Sequence, residues 1–435
     1  MAHRRAHGGH GLTSMGPIAV GVIGAGARGQ LFASLIAEHA PQAKVVAVAE
    51  PREGARRAFA ARYGIDDAKA FADWRLLAAE PRFCDAVVIS TMDQDHAGPA
   101  IACLDKGYAM LLEKPMATTL EECRAIAAAQ RRAGTIAAVC HSLRYHAGFA
   151  RLKELVDQGR IGKVLTIDQL EQVGYWHYAH SYVRGNWGNR SRSTFMLLAK
   201  SCHDLDFISY LVGRPCTDVS SFGTLTHFRA EHAPAGSTER CTDGCSIEST
   251  CPYSALRLYV GGPLDSWLRD PQSGETMPPD AAARTALLRA SPYGRCVWHA
   301  DNDVVDHQVV AMSFDGGITA TFTMAGVTDA LARRIRVHGT EGELEFEEDP
   351  YLGDHIVLRR FGDVDRQDFR VAPEIGAHGG ADRRVVKQWL DALRTGDATN
   401  IITPIEESLR THTIVFAAEA ARLRGSVEHL AAWQQ

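Results

Sequence analysis

Residues 20–30 read VGVIGAGARGQ, and Gly24, Gly26 and Gly29 form G-x-G-x-x-G between an apolar run and a helical pattern. One glycine permits the tight turn, one lets the backbone approach a pyrophosphate, and one allows close helix–strand packing. The N-terminus of the following helix then faces the phosphates. Ala25 and Arg28, inside the same loop, join the glycines as expected cofactor contacts. The next strand run ends AVAEP. This places Glu50 where the acidic partner of an adenosine ribose belongs, near the expected spacing of about 20 residues. A carboxylate there favours a free 2′-hydroxyl, hence NAD over NADP. Arg52 works against that preference, since a guanidinium could meet a 2′-phosphate.

Short β-rich runs at 18–23, 44–49, 86–90, 109–112 and 136–140 alternate with helical spacing at 31–39, 53–63, 98–106 and 120–133. Such alternation predicts a parallel sheet covered on both faces. After residue 141 the pattern changes. A helix is expected over 147–158, then longer β-like runs at 164–175, 219–227, 306–314, 319–324, 334–338 and 342–346, with a hairpin turn at the DGG of 315–317. One helix over 193–211 covers a sheet face, and 384–393 and 405–423 close the chain. The expected fold is α/β: a doubly wound Rossmann domain over 17–141, then an α/β domain over 142–435 with a large open, mostly antiparallel sheet. The last helices are placed to pack back on the Rossmann domain. Residues 1–16 read as a disordered leader without the apolar stretch of a secretory signal. Residues 229–299, rich in Gly, Pro, Ser and Cys, read as an insertion.

With 435 residues, 46% of them hydrophobic, the chain is long enough for two large domains. A net charge of −5 gives no reason to expect a nucleic-acid partner. No apolar run reaches the roughly 18 residues of a membrane span. The ten cysteines do not form a disulfide framework, which points to a reducing, cytoplasmic setting.

Residues 109–116 read AMLLEKPM. Ligands of parallel sheets sit beyond the carboxyl ends of strands, so Glu113 and Lys114 are expected at the cofactor cleft, with Pro115 fixing the backbone. Thr91 and His96, in STMDQDHAG, follow the previous strand and are expected to line the same cleft. With GAGARG, AEP, EKP, RIGKV at 160–164, the Lys/His stretch and RVHGTEGEL at 336–344, the chain resembles the Gfo/Idh/MocA oxidoreductases. The resemblance covers nearly everything after the leader. It implies a Rossmann domain, an open-sheet substrate domain that often forms homo-oligomers, and hydride exchange between a nicotinamide and a sugar or cyclitol carbon. It also implies that Lys114 lies beside the nicotinamide and the substrate hydroxyl.

The family often carries D-x-G-x-H-x-x-D on the first helix of its second domain. Here LLAKSCHDLD places Ala199, Ser201, His203 and Asp206 at those positions, so the histidine and last aspartate match and the first two do not. On one helix Lys200 and His203 share a face. A neutral His203 takes the carbinol proton as hydride leaves, Lys114 polarises the oxygen, and Lys200 supports the alkoxide. Upstream, GYWHYAHSYVRGNWGNR supplies Tyr175, His177, Arg184 and Asn186. With Arg144 and Asp204 they are the expected contacts of a small carbohydrate substrate; the plainer reading of that stretch is an interface or domain-edge loop.

Residues 240–255 read RCTDGCSIESTCPYSA, with Cys241, Cys245 and Cys251 spaced C-x3-C-x5-C. Three thiolates with a fourth ligand such as Cys202, Cys296 or a histidine would hold a structural zinc. An insertion lacking an obvious core would gain from such a staple. The alternative is reduced thiols, or a disulfide if oxidised. The leading expectation for the whole chain is an NAD-dependent sugar or cyclitol dehydrogenase. A second is an NAD-dependent glycosidase working by transient oxidation, elimination and re-reduction. A third, of another class, is a non-catalytic NAD-binding sensor.

Overall fold

The computed structural model describes residues 16–270, 274, 276–277, 280–376 and 378–433. All of the expected leader except Gly16 therefore lies outside the described residues, as do a few positions of the 229–299 segment. Two units are distinct, one reaching to Ser142 and also taking in Ala381–Leu409, the other holding most of the rest.

In the first unit the strands are β1 (Ile18–Ile23), β2 (Ala43–Ala49), β3 (Ala70–Phe71), β4 (Ala86–Ile89), β5 (Ala109–Leu112) and β6 (Ala137–Val139). All pair in parallel, in the order β3-β2-β1-β4-β5-β6, the doubly wound arrangement expected from the strand–helix alternation. β4 and β5 are buried along their whole length, AVVI and AMLL, as strands covered on both faces require. The short β3 and the helix Trp74–Ala79 carry no apolar period strong enough to read from sequence. Helix Leu120–Ala133 starts at Thr119, whose side chain accepts from Glu122 N–H, and stops at Gly134 in the left-handed region. At the outer edge of β6, Val139 N–H donates to Thr403 O at 3.0 Å, so the edge is covered by the returning chain.

The second unit contains β7 (Val164–Val173), β8 (Cys216–Thr224), β9 (His307–Phe314), β10 (Ile318–Ala325), β11 (Leu331–Gly339), β12 (Gly342–Glu347), β13 (Asp354–Arg360), β14 (Gln367–Val371) and β15 (Val427–His429). They form one sheet in the order β14-β13-β12-β11-β7-β10-β9-β8-β15. Only β7 and β10 pair in parallel; every other pairing is antiparallel. The DGG turn joins β9 to β10 as a hairpin. In β9 alternate residues Val310, Met312 and Phe314 are buried while His307, Val309 and Ala311 face outward. The buried face packs on Ala147–Asp157 and Cys202–Val212 through Phe149, whose ring lies 4.9 Å from Phe207 and 4.7 Å from Phe346. The strands β13, β14 and β15 were not expected; β14 is mostly exposed and β15 is three residues long, so neither shows an alternating pattern.

Two expectations are corrected. The single helix over 193–211 is two helices, Met196–Ala199 and Cys202–Val212, broken at Lys200 and Ser201. The break has a cause: Lys200 Nζ lies 2.9 Å from Glu171 Oε1 and Ser201 Oγ donates to Glu171 Oε2 at 2.6 Å, drawing both residues toward β7. The 229–299 segment does have a core of its own, built from Cys241, Ala255, Leu258, Tyr259, Leu264, Leu268 and Leu288.

Candidate active site

The glycine turn explains itself by space. A Cβ on Gly24, at φ +94°, would lie 2.5 Å from Ser90 O, and one on Gly29 would lie 1.9 Å from Gly24 O. Gly26 caps the helix Ala27–Ala37 and faces open space. Ser90, at the end of β4, was not anticipated; its hydroxyl donates to Gly24 O at 3.0 Å and pins the turn. Ala25 N–H donates to Glu50 Oε2 at 2.9 Å, which seats the Glu50 carboxylate under the turn. Arg52 donates to the same carboxylate from its backbone N–H (3.1 Å), Nε (2.7 Å) and Nη2 (3.1 Å). Burial pushes the Glu50 pKa up, but these bonds outweigh it and hold the group below the usual carboxylate range. Arg52 is thus committed to Glu50 and is not extended toward a 2′-phosphate. A glycine turn open at Gly26, a helix N-terminus and a carboxylate at the end of β2 fit a dinucleotide with a free ribose hydroxyl.

Arg28 does not stand free beside this turn. Its Nε donates to Glu113 Oε1, and Nη1 and Nη2 donate to the two oxygens of Asp382 at 2.9 Å each. Ser142 Oγ donates to Asp382 Oδ1 at 2.7 Å, and Lys114 N–H donates to Glu113 Oε2 at 2.7 Å. One guanidinium therefore links the glycine loop to the Glu-Lys-Pro turn and to the helix Ala381–Thr395. The Lys114–Pro115 peptide is cis. His96 is fully buried, and its Nδ1 lies 2.7 Å from Pro115 O, so it braces that turn from beneath. Thr91 Oγ1 donates to Asp95 O at 3.1 Å at the carboxyl end of β4.

In the second unit His203 lies near the start of Cys202–Val212, only 5% exposed, with its ring centroid 5.9 Å from that of His378. The aromatic stretch forms a cluster. The His177 ring packs against Trp267 at 5.0 Å and Trp176 at 5.9 Å, and Tyr175 packs edge-on to Tyr253 at 5.9 Å. Asn186 is partly buried in the turn that follows, its Nδ2 without a hydrogen-bond partner among the described residues.

Three expected substrate contacts make hydrogen bonds inside the protein. Arg144 makes a bidentate pair with Asp206, 2.7 Å at both contacts, and Thr411 donates to the same carboxylate at 3.0 Å. Arg184 donates to Arg295 O (2.7 Å) and Tyr253 O (2.6 Å), tying down the inserted segment. Asp204 is completely buried and accepts from Gln169 Nε2 and Arg333 Nε, both at 2.7 Å. Arg333 also donates to Glu171 Oε1 at 2.8 Å, so Lys200, Arg333, Glu171 and Asp204 form a buried alternation of charge. Burial would raise the Glu171 pKa, but Lys200 and Arg333 hold it well below the usual range, while burial lifts Asp204. Lys200 thus ends a short helix and neutralises Glu171; it does not sit one helical turn from His203 on a common face. Glu171 and Arg333 could not have been found from local sequence, because their partners lie on other strands and helices.

The zinc expectation is also corrected. Cys241, Cys245, Cys251 and Cys296 line one small cavity, and all are free thiols. Among the described residues no group of three His, Cys, Asp or Glu is placed to hold a metal ion. The segment is held by its own apolar core and by Arg184 and Arg240, the latter donating to Leu288 O at 2.6 Å.

A parallel sheet in this order, with a glycine turn and an acidic residue closing β2, defines an NAD-binding oxidoreductase domain. Residues 18–141 match the family model described as oxidoreductase family, NAD-binding Rossmann fold, and residues 153–428 match its C-terminal alpha/beta domain. The chain belongs to the Gfo/Idh/MocA oxidoreductase family. It is 28% identical over 208 residues to scyllo-inositol 2-dehydrogenase (NAD(+)) of Bacillus subtilis, covering 47% of this chain and 56% of that protein. To inositol 2-dehydrogenase 2 of Paenarthrobacter aurescens it is 31% identical over 258 residues, 56% of this chain and 69% of that one. The match spans about half the length of several such curated relatives. Levoglucosan dehydrogenase in complex with NADH shares the fold, with a TM-score of 0.70 at 17% identity over 95% of this chain and 99% of that one. So does an Agrobacterium radiobacter oxidoreductase in complex with NAD+, L-tartaric acid and magnesium, at 0.69 and 14% over 95% and 99%. Among the described residues no helix is long and apolar enough to cross a membrane.

Proposed function

We propose that the protein is an NAD-dependent dehydrogenase of a small cyclic polyol, a sugar, sugar derivative or cyclitol. The observation that carries the cofactor choice is the Glu50 carboxylate, held by Ala25 N–H and by Arg52. An anion in that place accepts a ribose hydroxyl and repels a 2′-phosphate. The substrate class is supported by the names of the relatives, which are inositol and levoglucosan dehydrogenases.

When bound, the oxidised nicotinamide supplies the hydride acceptor. Lys114, its backbone held by Glu113, polarises the carbinol oxygen and favours the alkoxide. His203 takes the hydroxyl proton. Tyr175, His177 and Asn186 are the proposed substrate contacts, an aromatic face with polar edges suited to a sugar ring. Lys200, Asp204, Arg144 and Arg184 are proposed as supports of this arrangement. A homo-oligomer and a cytoplasmic location belong to the same proposal. The outward pair Phe222 and Val309, 71% and 41% exposed on β8 and β9, is the kind of surface a second copy would cover.

The test is a panel of sugars, cyclitols and glycosides with NAD and NADP, following both reduced nicotinamide and released alcohol. NADH accumulation on a free polyol supports the dehydrogenase. Aglycone release without net NADH would replace it with the redox-neutral glycosidase. Light scattering on the same sample gives the oligomeric state.

A further inference from the structure

We propose that His378 is a second imidazole of the active site and carries the substrate proton from His203 to solvent. The inference deepens the reading of His203 as the base and rests on it.

Two independent observations support it. The first is position: the two rings have centroids 5.9 Å apart with planes inclined at 59°, His203 is buried, and His378 is exposed. The second is backbone conformation. His378, at φ +48°, is the one non-glycine residue with a positive φ among the described residues, and it opens a left-handed run with Gly379 (+54°) and Gly380 (+75°). A Cβ is crowded in that conformation, so glycine or asparagine would sit there at lower energy. Space explains the glycine at 379, where a Cβ would lie 2.4 Å from His146 Nε2. A strained, exposed imidazole beside a buried one is the pattern of a residue kept for chemistry.

The chemistry requires such a group. Oxidation of a carbinol breaks its C–H bond, and the hydride leaves with both electrons to NAD+, which becomes NADH. The O–H bond also breaks, and its proton goes to the His203 imidazole. That imidazolium must lose the proton before the next turnover, and at 5% exposure it meets little water. His378 accepts it directly after a small ring rotation, or through one bridging water, and releases it to buffer. In the reducing direction the same route delivers the proton.

The experiment compares His378→Asn, His378→Gly and His203→Asn with the wild type on the best substrate of the panel, at low buffer concentration. Both His378 variants are expected to lose about tenfold in kcat and to recover as imidazole is added as a diffusing proton carrier, with NADH affinity unchanged. His378→Gly, relieved of backbone strain, is expected to melt at or above the wild-type temperature. A His378→Gly protein that melts several degrees lower, an unchanged kcat, or a loss that imidazole does not restore each overturns the proposal. If His203→Asn keeps full activity, the reading of the base has failed, a result distinct from those on His378.

Discussion

Arg28 and Asp382, 354 positions apart in the chain, form a two-point ion pair with both N–O distances at 2.9 Å. The fingerprint loop is thereby anchored to a helix that follows eight of the nine strands of the second sheet in sequence. Asp382 is almost completely buried, so its removal leaves a cation that has lost one of its two carboxylates. Asp382→Ala is expected to cost about 2–3 kcal/mol of stability, visible in urea unfolding, and to weaken NADH binding measured by fluorescence. Unfolding at the wild-type midpoint would show that the pair contributes nothing net.

Cofactor preference follows from Glu50. Glu50→Ala removes the anion and frees Arg52 for a 2′-phosphate. The NADPH-to-NADH affinity ratio is expected to rise by about tenfold or more, the scale of one charge-assisted contact. Fluorescence titration with both reduced cofactors measures it, and an unchanged ratio would place the ribose elsewhere.

Lys200 and His203 are separable. Lys200→Met strips Glu171 of one of its two cations, with Arg333 remaining. Stability should fall by about 1–3 kcal/mol while kcat changes far less than in His203→Ala. Equal losses of kcat in the two variants would return Lys200 to the chemistry.

Asp354 gives a pH signature. Burial lifts its carboxyl from 3.8 to about 7 in the folded protein. A raised folded value means that the native state binds the proton more tightly than the unfolded chain. The contribution is full at acid pH and is lost as pH rises from about 4 to about 7. Asp354→Asn, which cannot ionise, should therefore gain in melting temperature over the wild type at about pH 8 and gain less at about pH 5. A pH-independent difference would contradict this origin.

Much of the architecture was legible because its signals are local. The glycine turn, the apolar runs of β4 and β5, the DGG hairpin and the helical spacing of 120–133 each depend on residues within a few positions of one another. Glu50 was legible for the same reason, since strand length sets its distance from the turn. The internal bonds of Arg144, Arg184 and Asp204 were not legible, because a charged residue near an aromatic or catalytic motif looks available until its partner is known. Those partners, Asp206, Arg295 O and Arg333, come from distant segments. The cysteines were misread in a related way, because a segment poor in regular structure looked coreless until Leu258, Leu264, Leu268 and Leu288 were found packed together.

By itself, then, the sequence determined the strand–helix alternation of the first unit, the dinucleotide turn and the residue types at the expected acid–base positions. Tertiary structure alone decided that Arg28 serves Glu113 and Asp382, that Lys200 breaks a helix to neutralise Glu171, and that His378 lies beside His203. Periodicity and turn chemistry act over a few residues and are written in the local string. Burying a charge forces it to find a counter-charge wherever the fold brings one, and that choice exists only in three dimensions.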